Sequence, residues 1–173
     1  MRLFISIFFD DNIINELLRL QDDLKKIGVE GNYTRMESLH MTLAFVGEYD
    51  NPGDVLEVMD RVEFEPFKLA LDGVGNFKKL FYVGMKAEDA LYTYVKRLRR
   101  ELNKLGIESD KKQFFPHITM IRNYDYKGGE MIPVNKPPIG SVVADTVVLM
   151  KSERGKHGMV YTELGSVNAN SFI

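Results

Sequence analysis

Two stretches of the sequence, HMT and HIT, each place a histidine and a threonine two positions apart. Both lie in apolar runs typical of β-strands, in which side chains two positions apart project from the same face, about 7 Å from each other. His40 and Thr42 therefore share one face of the first strand, and His117 and Thr119 share one face of the second. The apolar residues between them predict that the opposite faces pack in the core.

Two such pairs, directed into one cleft, suit a phosphate group. The threonine hydroxyls donate hydrogen bonds to non-bridging oxygens, and the negative charge strengthens those bonds. Imidazoles with an ordinary pKa near 6.5 divide the proton transfers at neutral pH, one as a neutral base and one as a protonated acid. A nearby phosphate favours the protonated form of one of them. This chemistry requires no metal.

Other interpretations are weaker. One His-x-Thr pair alone is ordinary in a strand, but two pairs in equivalent positions of a repeat favour a shared site. The sequence has no Walker-type loop and no His-Glu-x-x-His motif, so a zinc site would need scattered ligands. It also has no cysteine, which excludes disulfides, thiolate metal sites and a cysteine nucleophile. A Ser-His-Asp arrangement stays open, although no serine lies in a recognisable nucleophile elbow.

The elements that position the motifs form an internal repeat. Leu3 and Leu80 begin similar stretches, a β-prone run followed by acidic residues and a helical pattern, and their spacing of 80 − 3 = 77 equals the 117 − 40 = 77 between the motif histidines. Gly28 and Gly106 end the two helical patterns, where a left-handed cap is expected. The predicted apolar helix faces are Ile13, Leu17, Leu20, Leu24 and Ile27, and Leu91, Val95, Leu98, Leu102 and Leu105.

Further elements surround this frame. Asn51 predicts the N-cap of a helix in NPGDVLEVMDRV, FKLALDG alternates like a half-buried strand, and ADTVVLM and GMVYTELG predict two closing strands joined by the turn KSERGKHG. We expect an α+β fold of two pseudo-symmetric lobes, each a mainly antiparallel sheet with a helix packed on one face, and a cleft between them. Residues 1–173 would form one bilobal domain with a repeat at about 3–50 and 80–125.

Composition and charge indicate the class of protein and its expected cellular compartment. The chain has 173 residues, of which 45% are hydrophobic, as in a globular protein. Its opening apolar run is too short to cross a membrane and lacks a cleavage site, so we interpret it as a strand and expect a cytoplasmic protein. Residues 1–65 carry 6 Lys and Arg against 14 Asp and Glu, whereas residues 66–173 carry 17 against 11. The second part is therefore the better candidate to meet a polyanion, although such segregation is commonly solvated surface.

The segments LHMTLAFVGE, FFPHITMIRN and KSERGKHGMVYTELG resemble the 2H phosphoesterases, most closely the bacterial and archaeal RNA 2',3'-cyclic phosphodiesterases first called 2'-5' RNA ligases. This resemblance implies metal-independent opening of a 2',3'-cyclic phosphate at an RNA end to a 2'-phosphate, with 2'-5' ligation as a second activity. It assigns His40 and His117 as the catalytic pair, and Thr42 and Thr119 as phosphate-binding residues. By analogy, His40 protonates the departing 3' oxygen and His117 activates water, but the sequence of a pseudo-symmetric pair leaves the reverse assignment open.

The resemblance also points to Arg122 and Tyr161 as substrate-binding residues. Strict alternation places Arg122 on the face opposite His117, so a structural ion pair is an equal alternative unless the strand bulges. Tyr161 is alternatively an ordinary half-buried strand residue, and His157 is expected in a loop. Residues that could stack on a base flank the motifs: Tyr33, Phe114, Phe115 and Tyr124.

The competing function is a non-catalytic module that binds nucleotide or RNA and retains the phosphate pocket. Both motifs are intact, which favours catalysis. The expected partners are RNA ends or oligonucleotides with a cyclic phosphate, with no metal, no cofactor and no membrane. A monomer is expected, because the repeat supplies both half-sites within one chain.

Overall fold

The computed structural model describes residues 1–109 and 111–170. Within them the chain forms two antiparallel sheets, three α-helices and a 3-10 turn at Met36–Ser38. In chain order the elements are β1 (Arg2–Phe8), α1 (Asp11–Lys26), β2 (Glu30–Tyr33), β3 (His40–Glu48), α2 (Pro52–Arg61), β4 (Phe67–Phe77), β5 (Leu80–Ala87), α3 (Asp89–Lys104), β6 (His117–Asp125), β7 (Ser141–Ala144), β8 (Thr146–Gly155) and β9 (Gly158–Asn168). The first sheet has the order β3-β1-β8-β9 and the second the order β2-β6-β5-β4-β7.

The two long helices end in the same way, as the repeat predicts. Gly28 and Gly106 have φ angles of +86° and +77°. Val29 N–H donates to Leu24 O, five residues back, as in a Schellman motif, and residue 107 repeats this bond. The predicted apolar faces are buried except at their last positions, Ile27 and Leu105, which are 43% and 40% exposed. Both are cap residues, and the chain reversal after each glycine buries Val29 and Ile107 instead.

The two halves of the chain exchange elements. β2, from the first repeat, pairs with β6 of the second sheet, while β8 from the end of the chain pairs with β1 in the first. The pairing of Phe8 with His40 and of Gly84 with His117 makes the equivalent strands 84 − 8 = 76 residues apart. This separation is one residue shorter than the 77 residues between the motif histidines. The predicted alignment of Leu3 with Leu80, which assumed 77 for the strands as well, is therefore wrong by one residue. The single bilobal domain of residues 1–173 stays a prediction.

The closing hairpin and the second helix differ in detail from the sequence interpretation. β8 and β9 extend through most of the predicted turn, so only Lys156 and His157 connect them. The ladder closes at Gly155 and Gly158, where a φ of +114° at Gly158 permits the tight reversal. Asn51 precedes α2 as predicted, but its side chain makes no cap hydrogen bond. None of the helices in the described part of the chain has the length and apolar character that crossing a membrane requires.

Candidate active site

Strands β3 and β6 carry the two motifs and contact each other where the two sheets meet. In each strand the histidine and the threonine are half-buried, whereas the residues between and after them are fully buried: Met41, Leu43, Ile118 and Met120. This pattern confirms the alternation predicted for both strands. One apolar face anchors each strand in the core, and the other presents an imidazole and a hydroxyl.

Backbone carbonyl groups hold the two imidazoles in the same way. His40 Nδ1 lies 2.6 Å from Ser38 O, and His117 Nδ1 lies 2.7 Å from Phe115 O. A carbonyl accepts only, so each Nδ1 carries the proton and each Nε2 is the nitrogen available for chemistry. His40 Nε2 lies 2.9 Å from Thr42 Oγ1, whose hydroxyl donates to it when the ring is neutral. The anchors are themselves equivalent, because 115 − 38 = 77.

His40 lies among aromatic rings on the first sheet. The ring centroids of Phe4, Phe8 and Tyr161 are 5.1, 5.6 and 5.5 Å from that of His40. Burial lowers the pKa of His40, and the charges of Arg122 and His117 lower it further, against an opposing effect of the bond to Ser38 O. The net direction keeps His40 uncharged near neutral pH in the free protein.

His117 lies in a more open setting on the second sheet. The ring centroids of Phe77, Tyr82 and Phe115 lie 6.1, 5.6 and 5.5 Å from that of His117. Phe77 is 51% exposed and Phe115 is 43% exposed. These side chains form an exposed platform of rings, which we call the aromatic platform: Phe77, Tyr82 and Phe115.

Of the four residues proposed from sequence for base stacking, only Phe115 belongs to the aromatic platform. The other three make different contacts: Tyr33 with Lys25, Phe114 with Tyr92 and Arg99, and Tyr124 with Phe81 and Lys79. Sequence reasoning missed Phe77 and Tyr82 because they lie far upstream of the second motif. Strand pairing brings them there, since Tyr82 lies opposite Thr119 in the ladder of β5 and β6.

A β-bulge decides where Arg122 lies. Ile121 pairs with Phe81 and Thr119 with Tyr82, so Met120 is an extra residue in β6. Met120 and Ile121 are both buried, and Arg122 is exposed. The strict alternation used in the sequence interpretation was therefore wrong at Arg122. The bulge turns it to the face of His117, where its charge acts on His40.

The other residues singled out from the sequence have clear locations. Tyr161 lies edge-on to the ring of His40 and adjoins the small buried cluster of Phe4, Val148 and Met150. His157 lies in the turn of the closing hairpin, and its carbonyl accepts a 2.6 Å hydrogen bond from Arg35. In residues 1–109 and 111–170, no group of three or more His, Asp or Glu side chains is arranged to hold a metal ion.

The sequence and the fold of this chain are similar to those of known proteins. Residues 7–82 match the family model described as LigT like Phosphoesterase. A relative from Archaeoglobus fulgidus, named RNA 2',3'-cyclic phosphodiesterase, is 33% identical over 130 residues, which make up 70% of this chain and 72% of the relative. The chain belongs to the LigT-like phosphoesterase family. The family predicted from the two motifs is confirmed, and the protein is a phosphoesterase.

Other relatives of this LigT-like phosphoesterase cover nearly the whole chain. A protein of the same name from Aeropyrum pernix is 27% identical over 92% of this chain and 98% of its own. The crystal structure of E. coli LigT complexed with 3'-AMP matches with a TM-score of 0.83 at 24% identity, covering 98% of both chains. This structural likeness confirms the predicted α+β fold.

Proposed function

We propose that this phosphoesterase hydrolyses 2',3'-cyclic phosphate ends of RNA to 2'-phosphates, with His40 and His117 as its acid and base. The observation that supports this proposal most is the equivalent anchoring of two imidazoles by the carbonyls of Ser38 and Phe115, which leaves Nε2 of each ring, and not Nδ1, for proton transfer. The name shared by the curated relatives supports the choice of substrate.

The proposed reaction needs two proton transfers and one displacement. Water attacks phosphorus and gives a proton to Nε2 of the base, while the bond between phosphorus and O3' breaks and the acid gives its proton to O3'. The product carries a 2'-phosphate and a 3'-hydroxyl. The hydroxyls of Thr42 and Thr119 donate to the non-bridging oxygens, and the charge of Arg122 stabilises the phosphate in the transition state.

Substrate binding assigns the two roles in this proposal. His40 is neutral in the free protein because burial lowers its pKa. A bound phosphate anion opposes that effect strongly, since charges interact more in a buried site than in water. His40 then takes up a proton, Thr42 turns its hydroxyl from Nε2 to the phosphate, and His40 becomes the acid. His117, in its open setting, acts as the base.

The aromatic platform provides a place for the nucleobase beside the reacting phosphate. Base stacking on exposed rings is how proteins commonly bind single-stranded RNA ends. Phe77 and Phe115 expose large fractions of their rings, and both flank the proposed base His117. The excess of 17 Lys and Arg over 11 Asp and Glu in residues 66–173, which contribute strands to both sheets, favours binding of an RNA strand by this part of the chain.

A 5'-hydroxyl in place of water would form a 2'-5' linkage by the same two proton transfers. The bond between O5' and phosphorus forms while the bond to O3' breaks, so the site needs no further group. We propose this ligation as a second reaction of the same residues. Adding an RNA with a 5'-hydroxyl to the assay below tests it, and a product that resists cleavage at the junction by a 3'-5' specific nuclease is expected.

The first test is product analysis on a short RNA ending in a 2',3'-cyclic phosphate, with EDTA present. We expect the wild-type protein to yield a 2'-phosphate, and the His40→Ala and His117→Ala variants to yield almost none. His157→Ala is the matched control, because this third histidine belongs to neither motif and lies in the turn between β8 and β9. Binding of the RNA without turnover by the wild-type protein would favour the non-catalytic module instead.

A second test separates the acid from the base. Replacing O3' of the cyclic phosphate by sulfur makes the leaving group a thiolate, whose conjugate acid has a pKa of about 8.5 and which needs no proton from an acid. We expect His40→Ala to approach the wild-type rate on this substrate, while His117→Ala stays at least about 100-fold slower. The reverse pattern would exchange the two roles.

A further inference from the structure

The two motif strands share a second feature beyond their His-x-Thr pairs. Leu43 is an extra residue in β3, because Ala44 pairs with Ile5 and Thr42 with Ser6. Met120 is the extra residue at the equivalent position of β6. Each bulge comes directly after a motif threonine and reverses the side-chain alternation that follows it. The residue that this reversal exposes is Phe45 in β3 and Arg122 in β6.

Each bulge carbonyl is held by a helix of the other repeat. Gln21 of α1 is 4% exposed, and its Nε2 donates to Met120 O at 3.3 Å and to Thr34 O at 2.8 Å. Arg99 of α3 donates from Nη2 to Leu43 O at 3.0 Å and from Nη1 to Lys112 O at 2.8 Å. The two side chains are equivalent, because 99 − 21 = 78 and 112 − 34 = 78.

The hydrogen bond from Gln21 stabilises the bulge of β6. A bulge leaves the extra residue unpaired in the ladder, and a buried carbonyl without a donor is unfavourable. Met120 O receives its donors from Gln21 and from Thr34 N–H, at 3.3 and 2.9 Å. Losing one donor favours a regular ladder, in which the side chains beyond the bulge move to the opposite face. Arg122 is the charged side chain that this change would displace.

We propose that Gln21 is a positioning residue, whose carboxamide holds the bulge of β6 so that Arg122 faces the catalytic cleft. This inference rests on the proposed function for the role of Arg122. It assigns a function to a buried helix residue that touches neither motif histidine. Gln21 reaches the site through Met120 and also through Thr34, whose hydroxyl donates to Thr119 O at 2.8 Å. Only the first of these routes depends on Arg122.

The activity test uses Gln21→Met, which keeps the length of the side chain and removes both donated bonds. We expect kcat/KM for the cyclic phosphate substrate to fall about tenfold, the scale of one or two hydrogen bonds. In an Arg122→Ala background the same change should lower kcat/KM by less than about twofold, because the two residues act together. An equal loss in both backgrounds, or no loss in either, would overturn the proposal.

A second readout does not depend on turnover. Burial is the main cause of the lowered pKa of His40, and the charge of Arg122 adds to it, as does His117 in its protonated form. NMR titration of His40 should show a higher pKa in Gln21→Met, as in Arg122→Ala, and no further rise in the double variant. An unchanged pKa in Gln21→Met would overturn the proposal. If the wild-type protein proved inactive, the proposed function would fail while this titration still decided the role of Gln21.

The matched control is Arg99→Met, which removes the equivalent tether from the other bulge. The bulge of β3 exposes Phe45 rather than Arg122. The loss of activity caused by Arg99→Met should therefore be the same with Arg122 present or absent. Thermal unfolding of every variant checks that it folds. Should Gln21→Met fail to fold, Gln21→Glu replaces the donor by an acceptor of the same size and is subject to the same two readouts. Dependence of the Arg99→Met loss on Arg122 would show a general effect of packing and overturn the assignment.

Discussion

The two motif histidines have the same backbone anchor and opposite surroundings. His40 lies against Phe4, Phe8 and Tyr161 on the first sheet, and burial lowers its pKa. His117 lies beside exposed rings on the second sheet, within reach of solvent. Equivalent carbonyl anchors therefore hold the two rings in the same way, and the residues around each ring distinguish the two histidines.

The largest expected effect comes from removing either histidine. His40→Ala and His117→Ala should each lower kcat by at least about 100-fold, the usual scale for a general acid or base. The pH dependence of the rate distinguishes the two histidines. Loss of the acid should remove the decline in activity at high pH, and loss of the base should remove the decline at low pH. Single-turnover rates across pH measure both. A variant of either histidine with a rate near that of the wild-type protein would contradict the assignment.

The threonines should give the next largest effect. Thr42→Ala and Thr119→Ala each remove a hydrogen bond to a charged phosphate, so each should raise the activation free energy measured by kcat/KM by about 1 to 3 kcal/mol. Steady-state kinetics on the cyclic phosphate measures this change. If both single variants were kinetically silent, the phosphate-binding role of the two hydroxyls would be wrong.

Variants of the aromatic platform test whether the exposed rings beside His117 bind the base of the substrate. Phe77→Leu and Phe115→Leu should each weaken substrate binding by about 1 to 3 kcal/mol, the contribution of one stacked base, with little change in kcat. An abasic ribose 2',3'-cyclic phosphate should be unaffected by either change. Tyr92→Leu is the matched control, because Tyr92 is an exposed aromatic residue on α3, outside both motif strands. Equal losses with and without the base would contradict stacking.

The smallest expected effect is on stability and belongs to the buried histidine. The pKa of His40 is lowered in the folded protein, so between the folded and unfolded pKa values the unfolded chain binds more protons. Stability from this group is therefore present above about pH 6.5, the unfolded value, and is lost as pH falls below it. Urea unfolding at pH 7.5 and pH 5 should show a larger loss for the wild-type protein than for His40→Gln. An equal loss would show that His40 does not contribute.

Local patterns in the sequence predicted the parts of the site that depend on one strand. The shared face of His40 and Thr42, the buried residues between the motif positions and the glycine caps follow from strand alternation and helix geometry. The exposed Ile27 and Leu105 were assigned wrongly because helical periodicity was extended through a cap. There the chain reverses and the residue after the glycine enters the core instead.

The parts that depend on distant partners were not predictable from local patterns. The bulge that turns Arg122 to the face of His117 has its side-chain donor at Gln21, 120 − 21 = 99 residues before the bulge residue Met120. Phe77 and Tyr82 reach His117 only because β5 pairs with β6. The exchange of β2 into the second sheet likewise depends on tertiary contacts, since nothing within its four residues specifies a partner.

The pairing of β1 with β8 has a consequence for the synthesis of the protein. Arg2 lies opposite Ser152 in that ladder, so the two partners are 152 − 2 = 150 residues apart. At the usual rate of translation of about 5 to 20 residues per second, β1 waits roughly 8 to 30 seconds for its partner to leave the ribosome. Through that interval one edge of an apolar strand has no neighbour, which is the condition that chaperones recognise. β1 is thus made long before its ladder with β8 is completed.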